Sequence, residues 1–369
     1  MYTNDKRIVI TLDAGGTNFV FSAMQSGHMV IDPISVPSNA ANLDLCLKTL
    51  ADGFTTVIGQ LTERPVAISF AFPGPADYPN GIIGGYLPNF PSFRDGVALG
   101  AYLENKFGIP VFINNDGDLF AYGEALCGAL PSVNQRLREA GSNKQYHNLL
   151  GYTFGTGFGF GLVTEDTRLH MGDNSCAETW CLRHKKCPEV IVEEGVAVRA
   201  VKRVYGEQSG NPDHNFTPKE IFDIAEGKCA GNRTAAIRAF EEMGEIAGDA
   251  MATAVTLMDG LIVIGGGITA AHKYFMPSLL RELRSQIGTL GGEHINRVQM
   301  KVYNLDDATE FGEFARGEQR KLKVYGTDKF VVYDPQKRIG VCISEMGADC
   351  AISAGAYAFA LNKLDENKK

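Results

Sequence analysis

What the chain does not contain narrows it first. No apolar stretch is long enough to cross a bilayer. The opening Met1–Arg7 is polar and lacks the charged start, apolar middle and small-residue cleavage site of a secretory leader. Positive charge is not in excess: 35 Lys and Arg stand against 43 Asp and Glu, a net charge of −8 and a pI near 5.5. That balance removes the electrostatic reason to expect nucleic acid or an anionic membrane as a partner. The eight cysteines are scattered through 369 residues instead of forming the dense framework of a small secreted domain, which suits reduced thiols. These absences predict a cytoplasmic protein with small-molecule ligands. With 44% apolar residues the chain can bury one large core or two medium ones, and two is the expected number.

What is present is organised around Leu12-Asp13-Ala14-Gly15-Gly16-Thr17-Asn18, flanked by the apolar runs Ile8–Ile10 and Phe19–Phe21. Two strands joined this tightly call for residues that tolerate positive φ, and Gly15 and Gly16 are expected to supply it. A turn without side chains lets backbone N–H groups approach phosphate oxygens, with the Thr17 and Asn18 side chains adding hydrogen bonds. Asp13 repels phosphate but can hold Mg²⁺, directly or through water, and so bridge to it. The plain alternative is a Gly-Gly hairpin with an acidic edge residue.

The first hundred or so residues then alternate strand and helix signals. Arg7–Leu12 and Phe19–Met24 form a hairpin, and Val30–Pro37 carries a third strand. Leu43–Ile58 has helical spacing, Pro65–Phe72 reads as a strand, Gly96–Phe107 as a helix and Ile109–Ile113 as a buried strand. Between them, Pro73-Gly74-Pro75 opens a long irregular stretch through Leu87-Pro88-Asn89-Phe90-Pro91, the kind of loop that carries binding groups. The pattern predicts an α/β domain.

After Val111-Phe112-Ile113 comes Asn114-Asn115-Asp116-Gly117-Asp118, then a helical Leu119–Leu126. Amides and carboxylates at the end of a buried strand stand where open α/β sheets bind ligands. Asn115 can donate to and accept from hydroxyls, and an ionised Asp116 can take a hydroxyl proton. The competing reading is an Asx turn in which Asp118 caps the helix.

Leu149–Val163 repeats the opening theme around Gly155-Thr156-Gly157-Phe158-Gly159. Two such strand–turn–strand units suggest duplicated domains facing across a cleft, each turn gripping one side of a phosphate chain; a second tight hairpin without that role is the alternative. A third cluster, Gly265-Gly266-Gly267, follows the strand-like Leu261–Ile264 and the helical Thr234–Met258, and glycines there let a flat ring such as adenine lie on the backbone. Its spacing is not that of a dinucleotide fingerprint.

In this order, Asp13-Ala-Gly-Gly-Thr17, Asn115-Asp116, Gly155-Thr-Gly-Phe-Gly159 and Gly265-Gly-Gly267 resemble the ROK family of repressors, open reading frames and sugar kinases, part of the actin-like ATPase superfamily. The resemblance implies two actin-like (ribonuclease H-like) α/β domains around a central cleft. One would be residues 1–117 plus a returning C-terminal helix near 348–369, with Ala348–Leu364 helical. The other would be residues 118–347, with an insertion at about 303–344. It implies ATP and a hexose or N-acetylated hexosamine as ligands, Asp116 as the general base on the sugar hydroxyl, Asn89 and Asn115 as sugar contacts, ATP phosphates on both glycine turns and adenosine near Gly265–Gly267. It also implies a homodimer or larger assembly.

The sequence departs from the family between Gly172 and Gly195. Where relatives carry Glu-x-Gly-His, Ala177-Glu178-Thr179-Trp180 keeps the glutamate and replaces the histidine by Trp180. The resemblance therefore implies Glu178 as a sugar ligand, with Glu193 or Glu194 as a second and Glu193 favoured. Cys176, Cys181, Cys187 and His184 have the atoms for a zinc site but not the family spacing, so zinc is doubtful. Within the insertion, Lys321–Tyr325 and Lys329–Tyr333 around Gly326-Thr327-Asp328 read as a hairpin that covers the active site, builds a subunit contact or is simply solvated. A sugar kinase is expected. The alternatives are a sugar-sensing regulator, for which the twelve residues before Asp13 leave no DNA-reading domain, and an idle sugar-binding protein, which Asp116 and both phosphate turns argue against.

Overall fold

The computed structural model describes residues 2, 4–74, 76–85, 87, 89–174 and 177–366. Met1, Pro75, Pro88, Cys176 and residues 367–369, all included in the readings above, lie outside them.

The amino-terminal part builds a mixed sheet. β1 (Val9–Ala14) and β2 (Asn18–Gln25) form an antiparallel hairpin, extended by the short β3 (His28–Met29) and β4 (Ile34–Pro37), both paired to β2. Helix α1 (Leu43–Gln60) starts where the Asn42 side chain accepts from the Leu45 N–H and lays Leu50, Phe54 and Val57 on the sheet. β5 (Ala67–Ala71) joins parallel to β1. A small ribbon of β6 (Ala76–Asp77) and β7 (Ile82–Ile83) leads to α2 (Leu99–Phe107), closed by Gly108 at φ +64°. β8 (Val111–Asn114) is parallel to β5, giving the order β3-β2-β1-β5-β8.

Helices α3 (Asp116–Leu126) and α4 (Ala129–Glu139) follow. The expected helix at Leu119 begins three residues earlier, and its cap is not Asp118: the Asn115 side-chain Oδ1 accepts from the Gly117 N–H at 2.8 Å.

A second sheet repeats the plan of the first. β9 (Leu149–Phe154) and β10 (Phe158–Thr164) form an antiparallel hairpin with β11 (Arg168–His170) at its edge. After α5 (Val198–Ser209), α6 (Pro218–Ala225) and α7 (Arg233–Met258), β12 (Leu261–Gly265) enters parallel to β9. Next come α8 (His272–Leu283), the ribbon β13 (Gln286–Gly288) and β14 (His294–Asn296), then β15 (Lys301–Asn304), α9 (Ala308–Arg316) and the ribbon β16 (Arg320–Lys323) and β17 (Phe330–Tyr333). β18 (Arg338–Ile343) inserts between β12 and β15, giving β11-β10-β9-β12-β18-β15. The stretch expected as an insertion at 303–344 is thus mostly framework: its ends belong to β15 and β18, and α9 buries Phe314 and Ala315. Only the β16–β17 ribbon stands off.

The chain closes with α10 (Ala348–Glu366). It packs on β1, β5 and β8 of the first sheet, burying Tyr357, Ala360 and Leu361 against Val9, Met24 and Ala67. Its other side meets α3, which lies on β9 and β10 of the second sheet. The helices touch backbone to backbone: a Cβ on Gly123 would stand 2.0 Å from the Ala351 carbonyl oxygen, and one on Gly355 2.0 Å from that of Leu119.

Candidate active site

The first glycine turn, residues 15–17, links β1 to β2. Its glycines are needed for a reason other than the one expected, because neither takes a positive φ. A Cβ on Gly15 would meet the Asn18 carbonyl oxygen at 2.8 Å, and one on Gly16 would meet the Asn89 Cβ at 2.8 Å. The requirement is close approach, and it seats Asn89 directly against the turn. Ser38, which carries no motif signal, braces the turn by donating from Oγ to the Gly16 carbonyl at 2.6 Å and from N–H to that of Thr17 at 2.9 Å. Asp13, Thr17 and Asn18 are left exposed.

Asp116 is the first residue of α3, where helix N-terminal N–H groups favour a negative charge. Its Oδ1 accepts from the Gly117 N–H at 2.9 Å. Gly117 permits this placement, since a Cβ there would lie 2.5 Å from the Phe160 carbonyl oxygen of β10. Asn115 donates from Nδ2 to the Tyr78 hydroxyl at 3.4 Å, and that hydroxyl donates to the Phe72 carbonyl at 3.0 Å.

The second turn, residues 155–157 between β9 and β10, is tied to the segment after it. The Gly155 carbonyl accepts from the Val198 N–H at 2.9 Å. Glu193 Oε2 accepts from the Phe158 N–H at 2.8 Å, while its Oε1 receives the Arg199 guanidinium at 2.7 Å. A Cβ on Gly157 would stand 2.8 Å from Glu193 Oε2, so the glycine makes room for that carboxylate. Glu193, expected as a sugar ligand, therefore has both oxygens engaged in holding the turn. Arg199, which also bonds Glu194 at 2.6 Å, was not singled out from sequence because its partners become neighbours only once the chain folds.

Electrostatics join these parts. Burial raises the Asp116 carboxyl above its ordinary range, the Gly117 N–H opposes this, and Glu193 adds to it. Glu178 is pushed up to about 7 by burial and by Asp116 and Glu193. Asp118 is raised well above the usual range by burial, Glu178 and Asp116. Asp13 reaches solvent, yet the protein packed around it removes part of its hydration and raises its carboxyl, and Asp349 and then Asp116 add to this. Carboxylates from both glycine-turn regions, α3 and the start of α10 thus sense one another. Asp349, more than three hundred residues from Asp13, carried no sequence signal. Trp180 is 38% exposed.

Of the third cluster, Gly265 makes room for the Phe120 ring, and Gly266, at φ +98°, for the Phe154 carbonyl; only Gly267 faces open space. Cys181 and Cys187 are exposed, and His184 Nδ1 accepts from the N–H groups of Lys186 and Cys187 at 3.2 and 3.1 Å. Among the described residues no three His, Cys, Asp or Glu side chains converge as a metal site. No described helix is long and apolar enough to cross a membrane.

The model of the ROK family matches residues 9–314. The chain belongs to the ROK family. A solved glucokinase from Parabacteroides distasonis ATCC 8503 is 61% identical, covers 98% of this chain with 99% of its own, and superposes with a TM-score of 0.90. More distant relatives include the N-acetyl-D-glucosamine kinase of Vibrio vulnificus strain YJ016, 26% identical over 70% of this chain and 83% of its own. The glucokinase of Thermotoga maritima is 24% identical over 74% of this chain and 89% of its own. The two sheets, each a hairpin continued by parallel strands, are the two-domain actin-like fold, and this ROK protein is an ATP-dependent sugar kinase.

Proposed function

We propose that the protein phosphorylates a free hexose, glucose first among them, with an N-acetylated hexosamine as the next candidate. One observation carries this reading: Asp116, at the head of α3, interacts electrostatically with Asp13 at the first glycine turn and with Glu193, which holds the second. Asn89, Asn115 and Glu178 bind and orient the sugar. Asp116 accepts the proton of its hydroxyl as that oxygen bonds to the γ-phosphorus of ATP and the bond from that phosphorus to the bridging oxygen breaks, releasing ADP. Phosphoryl transfer depends on alignment and charge neutralisation, so a weak base suffices.

Gly15, Gly16, Thr17 and Asn18 on one side, and Gly155, Thr156 and Gly157 on the other, hold the phosphates. Adenosine lies by Gly267, with Gly265 and Gly266 shaping the backbone under it. Asp13 fits a hard divalent cation: its carboxyl is raised first by desolvation and then by the Asp349 and Asp116 carboxylates, and a cation would relieve that part of the repulsion. Mg²⁺ held there, directly or through water, would neutralise phosphate charge. The working unit is residues 1–117 with α10 closing against residues 118–347.

The test is ADP release with Mg-ATP over glucose, fructose, mannose and N-acetylated hexosamines. Asp116→Asn is expected to keep sugar binding and lose about 10²–10⁴-fold in kcat. Sugar-dependent turnover that survives the substitution refutes the assignment of the base. Saturable binding without turnover in the wild type would make the protein a sensor.

A further inference from the structure

The β16–β17 ribbon is a two-stranded sheet of its own, and every residue of both strands is exposed. Leu322, Phe330, Val331, Val332 and Tyr333 are all exposed, Phe330 at 60%, and Tyr325 at the tip is fully exposed. An isolated two-stranded ribbon with both faces in water is marginal, so its persistence calls for a cover. It does not cover the active site. Lys301 of β15 pairs with Arg338 of β18, and the ribbon enters β18 at that end; the glycine clusters lie at the other end, where Ile264 pairs with Ile343 and Gly265 with Thr153. The length of β18, about 17 Å, separates the two.

The two edges of the ribbon differ. β16, Arg320-Lys321-Leu322-Lys323, carries three cations, the usual guard against strand addition. β17, Phe330-Val331-Val332-Tyr333, has no charge, consists of β-branched and aromatic residues, and among the described residues pairs only with β16. A strand that is guarded on one side and open on the other is built to accept a single neighbour. An antiparallel two-fold centred on Val331 sets Val331 against its own copy and Phe330 against Val332, which are favourable cross-strand pairs. The four strands would then end on cationic β16 edges at both sides, which stops further growth. Ile287, Leu290 and Ile295 on the β13–β14 ribbon add exposed apolar surface close by, since β14 leads into β15 at the same end of the sheet.

We propose that β17 is the interface with a second copy of this chain, joining two protomers through a shared antiparallel sheet β16-β17-β17-β16 and leaving both active sites free.

The experiment is sedimentation of the full-length protein, wild type and with Val331→Lys or Val331→Glu, with sugar phosphorylation and circular dichroism as checks of folding. The wild type is expected to sediment above its 40.0 kDa chain mass. Each variant alone should fall to the monomer, and their equimolar mixture should recover the larger species, because lysine then faces glutamate across the two-fold. A monomeric wild type overturns the proposal. So do variants that stay assembled, a mixture that stays monomeric, or monomeric wild type that co-sediments with phosphatidylserine-containing vesicles. Activity is read separately, so failure here leaves the kinase reading untouched.

Discussion

Glu178, proposed above as a sugar ligand, also carries a stability cost. Burial and the neighbouring Asp116 and Glu193 carboxylates raise it from 4.5 to about 7. The folded protein therefore binds this proton more tightly than the unfolded chain. The associated stability is fully present below the unfolded value and is lost as pH rises through about 7. The cost at alkaline pH is at most about 3 kcal/mol. Glu178→Gln should thus gain thermal stability over wild type at about pH 8 and little at about pH 5, while weakening sugar affinity. Thermal melts at the two pH values check it, and an equal offset at both would refute the linkage. At this scale the sequence was most readable where chemistry is local. Asp13, Asn115 and Asp116 stand beside strand ends that periodicity marks. The engagement of Glu193 by Phe158 and Arg199, and the Asp13–Asp349 repulsion, depend on residues brought together only by the fold.

Among the elements, α3 and α10 matter most, because one lies on each sheet and they meet at glycines. A methyl group on Gly123 points at the Ala351 backbone, which cannot move aside as a flexible side chain would. Gly123→Ala is expected to cost about 1–3 kcal/mol. Its kcat should also fall, since displacing α3 displaces Asp116 at its first turn. Urea unfolding with parallel turnover measures both, and an unaltered midpoint would show that the crossing has slack. Periodicity located α1 and α7 to within a few residues, whereas α10 was expected from the family resemblance. It misjudged the start of α3 because Asn, Asp and Gly favour caps and turns as readily as first turns, and the choice between Asn115 and Asp118 rests on packing against β10. The span 303–344 misled for a related reason: exposed charge on β16 hid the fact that β15 and β18 on either side belong to the sheet.

At the scale of the molecule, strands from one end of the chain and a helix from the other make one unit. Arg7 bonds Asp365 at 2.7 Å, and the Tyr357 hydroxyl accepts from the Ser26 N–H at 3.0 Å. Removing residues 348–369 would uncover Val9, Met24 and Ala67. The shortened protein should bind a fluorescent apolar dye and fail to turn over, whereas full activity would mean that α10 is dispensable. The order of synthesis gives the same arrangement another meaning. The first sheet leaves the ribosome before the second, yet one of its faces waits for α10, which emerges only after the second sheet is complete. The early-made half must therefore remain partly unfinished, or sheltered by chaperones, until α10 has been made, so the half made later has the earlier opportunity to reach its final form.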